Sequence, residues 1–195
     1  MRIGIDARIY GPRHTGIGRY VENLIKNLEV LDNKNTYLIF LSKQEFDNYQ
    51  PSNPNFFKIA VDSTWYTLRE QVKMPVVFYR AGLDLLHVPH FNAPIIYKRK
   101  TVLTIHDLIK HSFNPESSTH KPLSYSIKYI GYRFVVSLAI KHASAIITPT
   151  NFVKESVARS FGEDNKLYVI YEASSLDAIE PKEPLTIPPM PYLLY

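Results

Sequence analysis

The sequence predicts an α/β fold, a three-layer sandwich built on a mainly parallel sheet of about seven strands. Three observations lead there. Short apolar runs of strand length alternate with longer segments of helical period, the order of repeated βαβ units. No run approaches the roughly 18 apolar residues of a membrane span. The 195 residues, 45% hydrophobic and 21% charged, suffice for one well-buried domain but not for two full ones.

The first strand is Arg2 to Asp6, a buried-strand pattern closed by a carboxylate. The polar, glycine-bearing segment Ala7 to Gly16 follows as a loop. Ile17, Tyr20, Val21, Leu24, Ile25 and Leu28 then recur at the spacing of one helix face. Tyr37 to Leu41 reads as a strand and Lys43 to Tyr49 as a short helix. A third strand lies near Phe57 to Val61, after the Pro/Asn-rich turn Pro51 to Asn55. Thr67 to Tyr79 is helical, with a cap or kink at Pro75. Asp84 to Val88 and Thr101 to Ile105 are further strands, separated by the loop His90 to Lys100. The longest helix is Pro122 to His142. Pro122 suits its first turn, and Leu123, Ile127, Ile130, Phe134 and Leu138 mark its buried stripe. Ala145 to Thr148 is a strand. Thr150 or Asn151 caps the helix that runs to Phe161, and Gly162 stops it. Leu167 to Tyr171 is the seventh strand. Beyond Asp177, Pro181, Pro184, Pro188, Pro189 and Pro191 mark an extended linker over 179–191. Tyr192 to Tyr195 reads as the opening of another strand. On this division residues 1–178 form the domain, and 192–195 begin a second one that the chain does not complete.

Composition narrows the function. With no cysteine there is no disulfide framework, thiolate nucleophile or thiolate metal site, which fits a reducing compartment. The N-terminus carries an acid and arginines without a long apolar run, unlike a signal peptide. A cytoplasmic location is therefore expected. Lys121, Lys128, Arg133 and Lys141 on the long helix form either a solvated face, the favoured reading, or a peripheral contact with the inner membrane face. The net charge of +5 attracts anions generally. Lys98-Arg99-Lys100 is the only tight basic run, without an aromatic–basic stripe, so nucleic acid is not an expected partner.

Three features can carry chemistry. The first is Gly16-Ile17-Gly18-Arg19-Tyr20, between the first strand and helix. Its glycines permit close approach of a ligand, and a helix N-terminus offers N–H groups to an anion. A structural turn is the competing reading. A dinucleotide fingerprint would need glycine where Val21 stands and an acid where Ser42 and Lys43 stand, so neither NAD nor FAD is expected. The second is His106-Asp107, directly after a strand, at the edge where parallel sheets bind ligands. The pair can hydrogen-bond sugar hydroxyls or exchange a proton, or it can pack and cap a turn. The third is His87-x-x-His90. It lacks a third ligand and the HExxH pattern, so packing or rim contact is preferred to metal binding.

In order, these segments resemble the retaining family 4 glycosyltransferases, also called glycosyl transferase group 1. RIGIDAR…TGIGRY is similar to the family's first strand and glycine loop, and LLHVPHFNAP to its H-x-P strand. TVLTIHDL resembles its His-Asp strand end, AIITPTNFVKESV its capped helix, and LYVIYEASSLD the segment often written VIPNGVD. The resemblance implies a GT-B fold of two Rossmann-like domains, this chain being the N-terminal, acceptor-side half. It implies transfer of a sugar from a nucleotide-sugar to a glycan or lipid-linked acceptor with retention, by a front-face, oxocarbenium-like route without a protein nucleophile. It places His106 against the donor sugar as the candidate catalytic residue. Gly16, Gly18, Arg19, Asp107 and His90 become the candidate substrate-binding residues. Neither a cofactor nor a metal is implied. The pyrophosphate clamp and the E-x7-E segment belong to the other half, so the chain alone is expected to lack transferase activity. Its exposed interdomain surface offers a route to a homodimer. Two other classes stay open: a non-catalytic sugar- or phosphate-binding module, and half of a nucleotide-sugar epimerase.

Overall fold

Seven strands, all parallel, form one sheet: β1 (Arg2–Asp6), β2 (Thr36–Ser42), β3 (Phe56–Val61), β4 (Leu85–Val88), β5 (Thr101–Thr104), β6 (Ala145–Thr148) and β7 (Leu167–Val169). Their spatial order is β3-β2-β1-β4-β5-β6-β7. Among the described residues four α-helices accompany them: α1 (Thr15–Leu31), α2 (Leu68–Arg80), α3 (Pro122–His142) and α4 (Asn151–Phe161). The structure, a computed structural model, describes residues 1–63, 65, 67–108 and 122–173. The expected linker and last strand start, 179–195, lie outside the described residues.

The layers follow from the pleat. Along β2, Leu38 and Phe40 join a core with Met74 and Phe78 of α2, Val136 and Ile140 of α3, and Val153 and Val157 of α4. The alternate residues Tyr37, Ile39 and Leu41 join Val21 and Ile25 of α1. Successive strand residues face opposite sides, so both faces of the sheet are covered, which is why its strands read as continuous apolar runs. The steps from β1 to β3 run one way across the sheet and those from β4 to β7 the other. A common crossover hand therefore puts α1 on one face and α2, α3 and α4 on the other.

Local chemistry sets the helix ends. Thr67 Oγ1 accepts from the Glu70 N–H at 3.1 Å and Thr150 Oγ1 from the Val153 N–H at 3.2 Å, each at an N-cap. Gly162 closes α4 in the left-handed conformation, φ 73°. Pro75 lies inside α2 without ending it.

Two expectations are corrected. Residues 43–48 form successive turns rather than a helix, with the Glu45 N–H donating to Ser42 O and the Asn48 N–H to Glu45 O. Their side chains lack a helix-length apolar stripe. Among the described side chains of α3 the buried ones are Val136, Ala139 and Ile140, while Ile130 and Phe134 are 66% and 60% exposed and Leu138 is half-buried; the side chains of Leu123 and Ile127 lie outside the described residues. Apolar residues on both sides of this helix leave its period ambiguous, and small Ala139 lies on the side that meets the sheet. Arg133 and Lys141 are exposed, whereas the side chains of Lys121 and Lys128 lie outside the described residues. Among the described residues no helix is long and apolar enough to cross a membrane.

Candidate functional site

In a parallel sheet all the carboxyl ends share one edge, and here the strand order reverses at β1, between β2 and β4. The crevice outside such a switch point is where open α/β sheets bind ligands. The segments leaving β1, β4 and β5 meet there.

His106 stands just past β5, with a side chain 14% exposed. Its Nδ1 lies 2.8 Å from Glu172 Oε1 and its Nε2 3.3 Å from the Pro89 carbonyl oxygen. A carbonyl only accepts, so Nε2 donates to it, while Nδ1 faces the Glu172 carboxylate. The Tyr20 ring meets the imidazole edge-on, centroids 4.8 Å apart. Behind them the Tyr20 hydroxyl is 3.3 Å from Thr104 Oγ1, which is 2.9 Å from His87 Nε2. Burial, with His106 adding to it, pushes the His87 imidazole down to about 4, so it is neutral near pH 7. Burial likewise raises the Tyr20 phenol, which keeps its proton. A three-residue chain from β4, β5 and α1 thus backs His106.

A second network fills the end of β1. Arg8 grips Asp6 with both prongs of its guanidinium, Nε–Oδ1 2.8 Å and Nη2–Oδ2 2.7 Å, and Nη2 also donates to Glu70 Oε1 at 2.7 Å. All three side chains are fully buried. Glu70 Oε2 accepts from Asn92 Nδ2 at 2.9 Å, and the Asn92 N–H donates to His90 Nδ1 at 3.1 Å. The Trp65 indole covers the guanidinium at 3.8 Å and contacts the His90 ring. Burial works against the charge on Arg8, but the two carboxylates outweigh it and raise its pKa. Burial raises the Glu70 carboxyl in spite of Arg8. Arg8 Nη1 is buried and has no hydrogen-bond partner among the described residues.

The predicted residues fall into distinct places. Gly16 and Gly18 both sit in the first turn of α1. A Cβ on exposed Gly16 would meet nothing within 4 Å. One on buried Gly18 would stand 2.0 Å from the Gly11 carbonyl oxygen and 2.8 Å from His14 Cβ. Gly11 N–H also donates to the Gly18 carbonyl at 3.1 Å. Gly18 therefore lets the loop close on the helix, and Gly16 is the glycine with room beside it. Arg19 is exposed on α1, Asp107 is exposed beside His106, and His90 is buried in the Arg8 network. His87 and His90 turn to different partners, Thr104 and Asn92, and among the described residues no three His, Cys, Asp or Glu side chains group as a metal site.

Sequence reasoning did not single out Glu172, Thr104, Arg8, Glu70 or Asn92, and it took Tyr20 as part of a helix face and as the last residue of the glycine motif. One signal was present: Thr67-x-x-Glu70 is a capping-box pattern at a helix start.

Residues 14–177 match the Glycosyltransferase Family 4 model. Over 121 residues the chain is 26% identical to the O-antigen chain mannosyltransferase RfbU of Salmonella typhimurium, covering 61% of this chain and 31% of that protein. The crystal structure of HepE from Anabaena in complex with UDP and glucose is similar with a TM-score of 0.52 and 16% identity, over 89% of this chain and 44% of that one. A UDP-N-acetylglucosamine 2-epimerase is similar with a TM-score of 0.54 and 13% identity, over 87% and 47%. The chain thus spans less than half the length of these relatives. The structural likenesses show a shared fold.

Proposed function

Because the chain belongs to Glycosyltransferase Family 4, we propose that it forms the acceptor-side wall of a cleft in which a sugar passes from a nucleotide-sugar to a glycan or lipid-linked acceptor. The supporting observation is the setting of His106. It stands at the carboxyl edge of the sheet, partly open, with its ring held by Glu172, Pro89 and Tyr20. In this reading the ring lies against the donor sugar, and electrostatic stabilisation of the departing phosphate is the main catalytic contribution. Gly16 gives ligands room at the start of α1, with Arg19 and Asp107 at the rim and His90 in the wall. The sugar is transferred by a front-face route with retention. The groups that hold the nucleotide are supplied from outside residues 1–195, so this chain alone binds acceptor and does not turn over donor.

Calorimetric titration with nucleotide-sugars and with a panel of glycan acceptors tests the assignment, alongside a transfer assay with radiolabelled donor. The expected result is acceptor binding that weakens at least tenfold in Gly16→Val, and no turnover by the chain alone. Acceptor binding indifferent to Gly16→Val would mean a sugar-binding role elsewhere on the fold. Turnover without an added partner would overturn the claim that the site is incomplete.

A further inference from the structure

The turn Pro89–Asn92 touches both networks. Its first carbonyl receives His106 Nε2 at 3.3 Å, and its last residue is held by Glu70 through Asn92 Nδ2 at 2.9 Å. The Asn92 N–H bonds His90 Nδ1 at 3.1 Å, which ties the turn to itself. Glu70 in turn is held by Arg8 at 2.7 Å, and Arg8 by Asp6 through two bonds. We propose that Arg8 is a positioning residue for His106: with Glu70 and Asn92 it clamps the Pro89–Asn92 turn, whose Pro89 carbonyl then sets the imidazole ring. The proposal rests on the reading of His106 as a substrate-facing group, but its test does not.

Three arguments support it. A buried ion cluster is a poor source of stability, since well-packed apolar groups often serve as well or better, so the geometry it imposes is its natural use. The chemistry asks for arginine. One planar fork reaches carboxylates on two different segments, β1 and α2, at the same time, whereas an ammonium is a point charge. Trp65 covers the guanidinium at 3.8 Å, which shields these bonds from water.

The test is spectroscopic. Long-range proton–nitrogen NMR of the whole chain, carrying 15N-histidine, reads the protonation and environment of each ring nitrogen. His106→Gln and His90→Gln assign the signals. In the wild-type chain His106 Nε2 should read as a protonated donor and His90 Nδ1 as an unprotonated acceptor. Asn92→Ala should shift both His90 Nδ1 and His106 Nε2 while amide signals of β2 and β3 stay in place. Glu70→Ala should do the same, and Glu70→Gln, which offers one acceptor oxygen to the two donors Arg8 and Asn92, should shift His106 Nε2 by a smaller amount. A merely structural network would not grade the His106 Nε2 shift in that order. Arg8→Lys should shift His106 Nε2 as Asn92→Ala does. If Arg8→Lys fails to fold, the Asn92 and Glu70 variants still decide, because they leave the Arg8–Asp6 pair in place. A His106 Nε2 signal unmoved by Asn92→Ala and Glu70→Ala would overturn the proposal and confine the network to His90.

Discussion

Two alanine substitutions two residues apart should have opposite effects. A methyl group at Gly18 would lie 2.0 Å from the Gly11 carbonyl oxygen and 3.0 Å from that of Ile9, both backbone atoms that no rotamer change can move aside. The loop must therefore retreat from α1, straining the 3.1 Å bond from Gly11 N–H to the Gly18 carbonyl. Overpacking of this kind costs about 1–3 kcal/mol and a lost hydrogen bond about 1 kcal/mol more. Alanine's helical preference over glycine returns about 1 kcal/mol. The net loss is about 1–3 kcal/mol, which for a domain of this size lowers Tm by roughly 2–10 °C. At Gly16 the space is open, so alanine should leave Tm unchanged or raise it by up to about 3 °C. Thermal melts of both variants followed by circular dichroism check the pair. A Gly18→Ala protein that melts at or above wild type would show that the loop and helix are not packed as described.

Other perturbations probe the interior. His87 has a pKa lowered from 6.5 to about 4, so as pH falls the unfolded chain takes up this proton first. Its contribution is complete above pH 6.5 and is lost as pH drops towards 4, about 3 kcal/mol in all. Urea unfolding from pH 7 to pH 4.5 should show that loss, and a His87→Gln chain with an equal pH slope would refute it. Thr104→Val removes the hydroxyl between His87 and Tyr20 and should cost about 1–3 kcal/mol in the same assay, with Tyr20 fluorescence or NMR signals altered. Arg8→Ala leaves Asp6 and Glu70 buried without their cation and should cost about 3–5 kcal/mol, measured as a lower urea midpoint. Gly162→Ala, at φ 73°, should cost about 1 kcal/mol and loosen the end of α4 in hydrogen exchange.

The position of His106 was legible because a histidine and an acid directly after an apolar strand fall at the carboxyl edge of a parallel sheet. Its supporting residues were not. Glu172 lies 66 positions away in the chain, and Thr104 lies 84 positions from Tyr20. Glu70 lies 62 positions from Arg8 and 22 from Asn92. No spacing rule links residues at such separations. The reading of Gly16 and Gly18 as one motif shows the same limit, since the two positions face open space and a carbonyl oxygen respectively.

The sequence by itself determined the α/β class, the seven strands and the helix stop at Gly162, and it narrowed that helix's cap to Thr150 or Asn151. These depend on residues close along the chain, where period and capping chemistry act. β1 and β6 were legible to the residue because each is a short apolar run closed by a polar residue, Asp6 and Thr148 respectively. Only the tertiary structure decided which side of α3 faces the core, that Gly18 is needed for packing, and that Arg8, Glu70, Asn92 and Glu172 surround the site. Those outcomes depend on which strands become neighbours, and a parallel sheet brings together segments that its crossovers hold far apart in sequence.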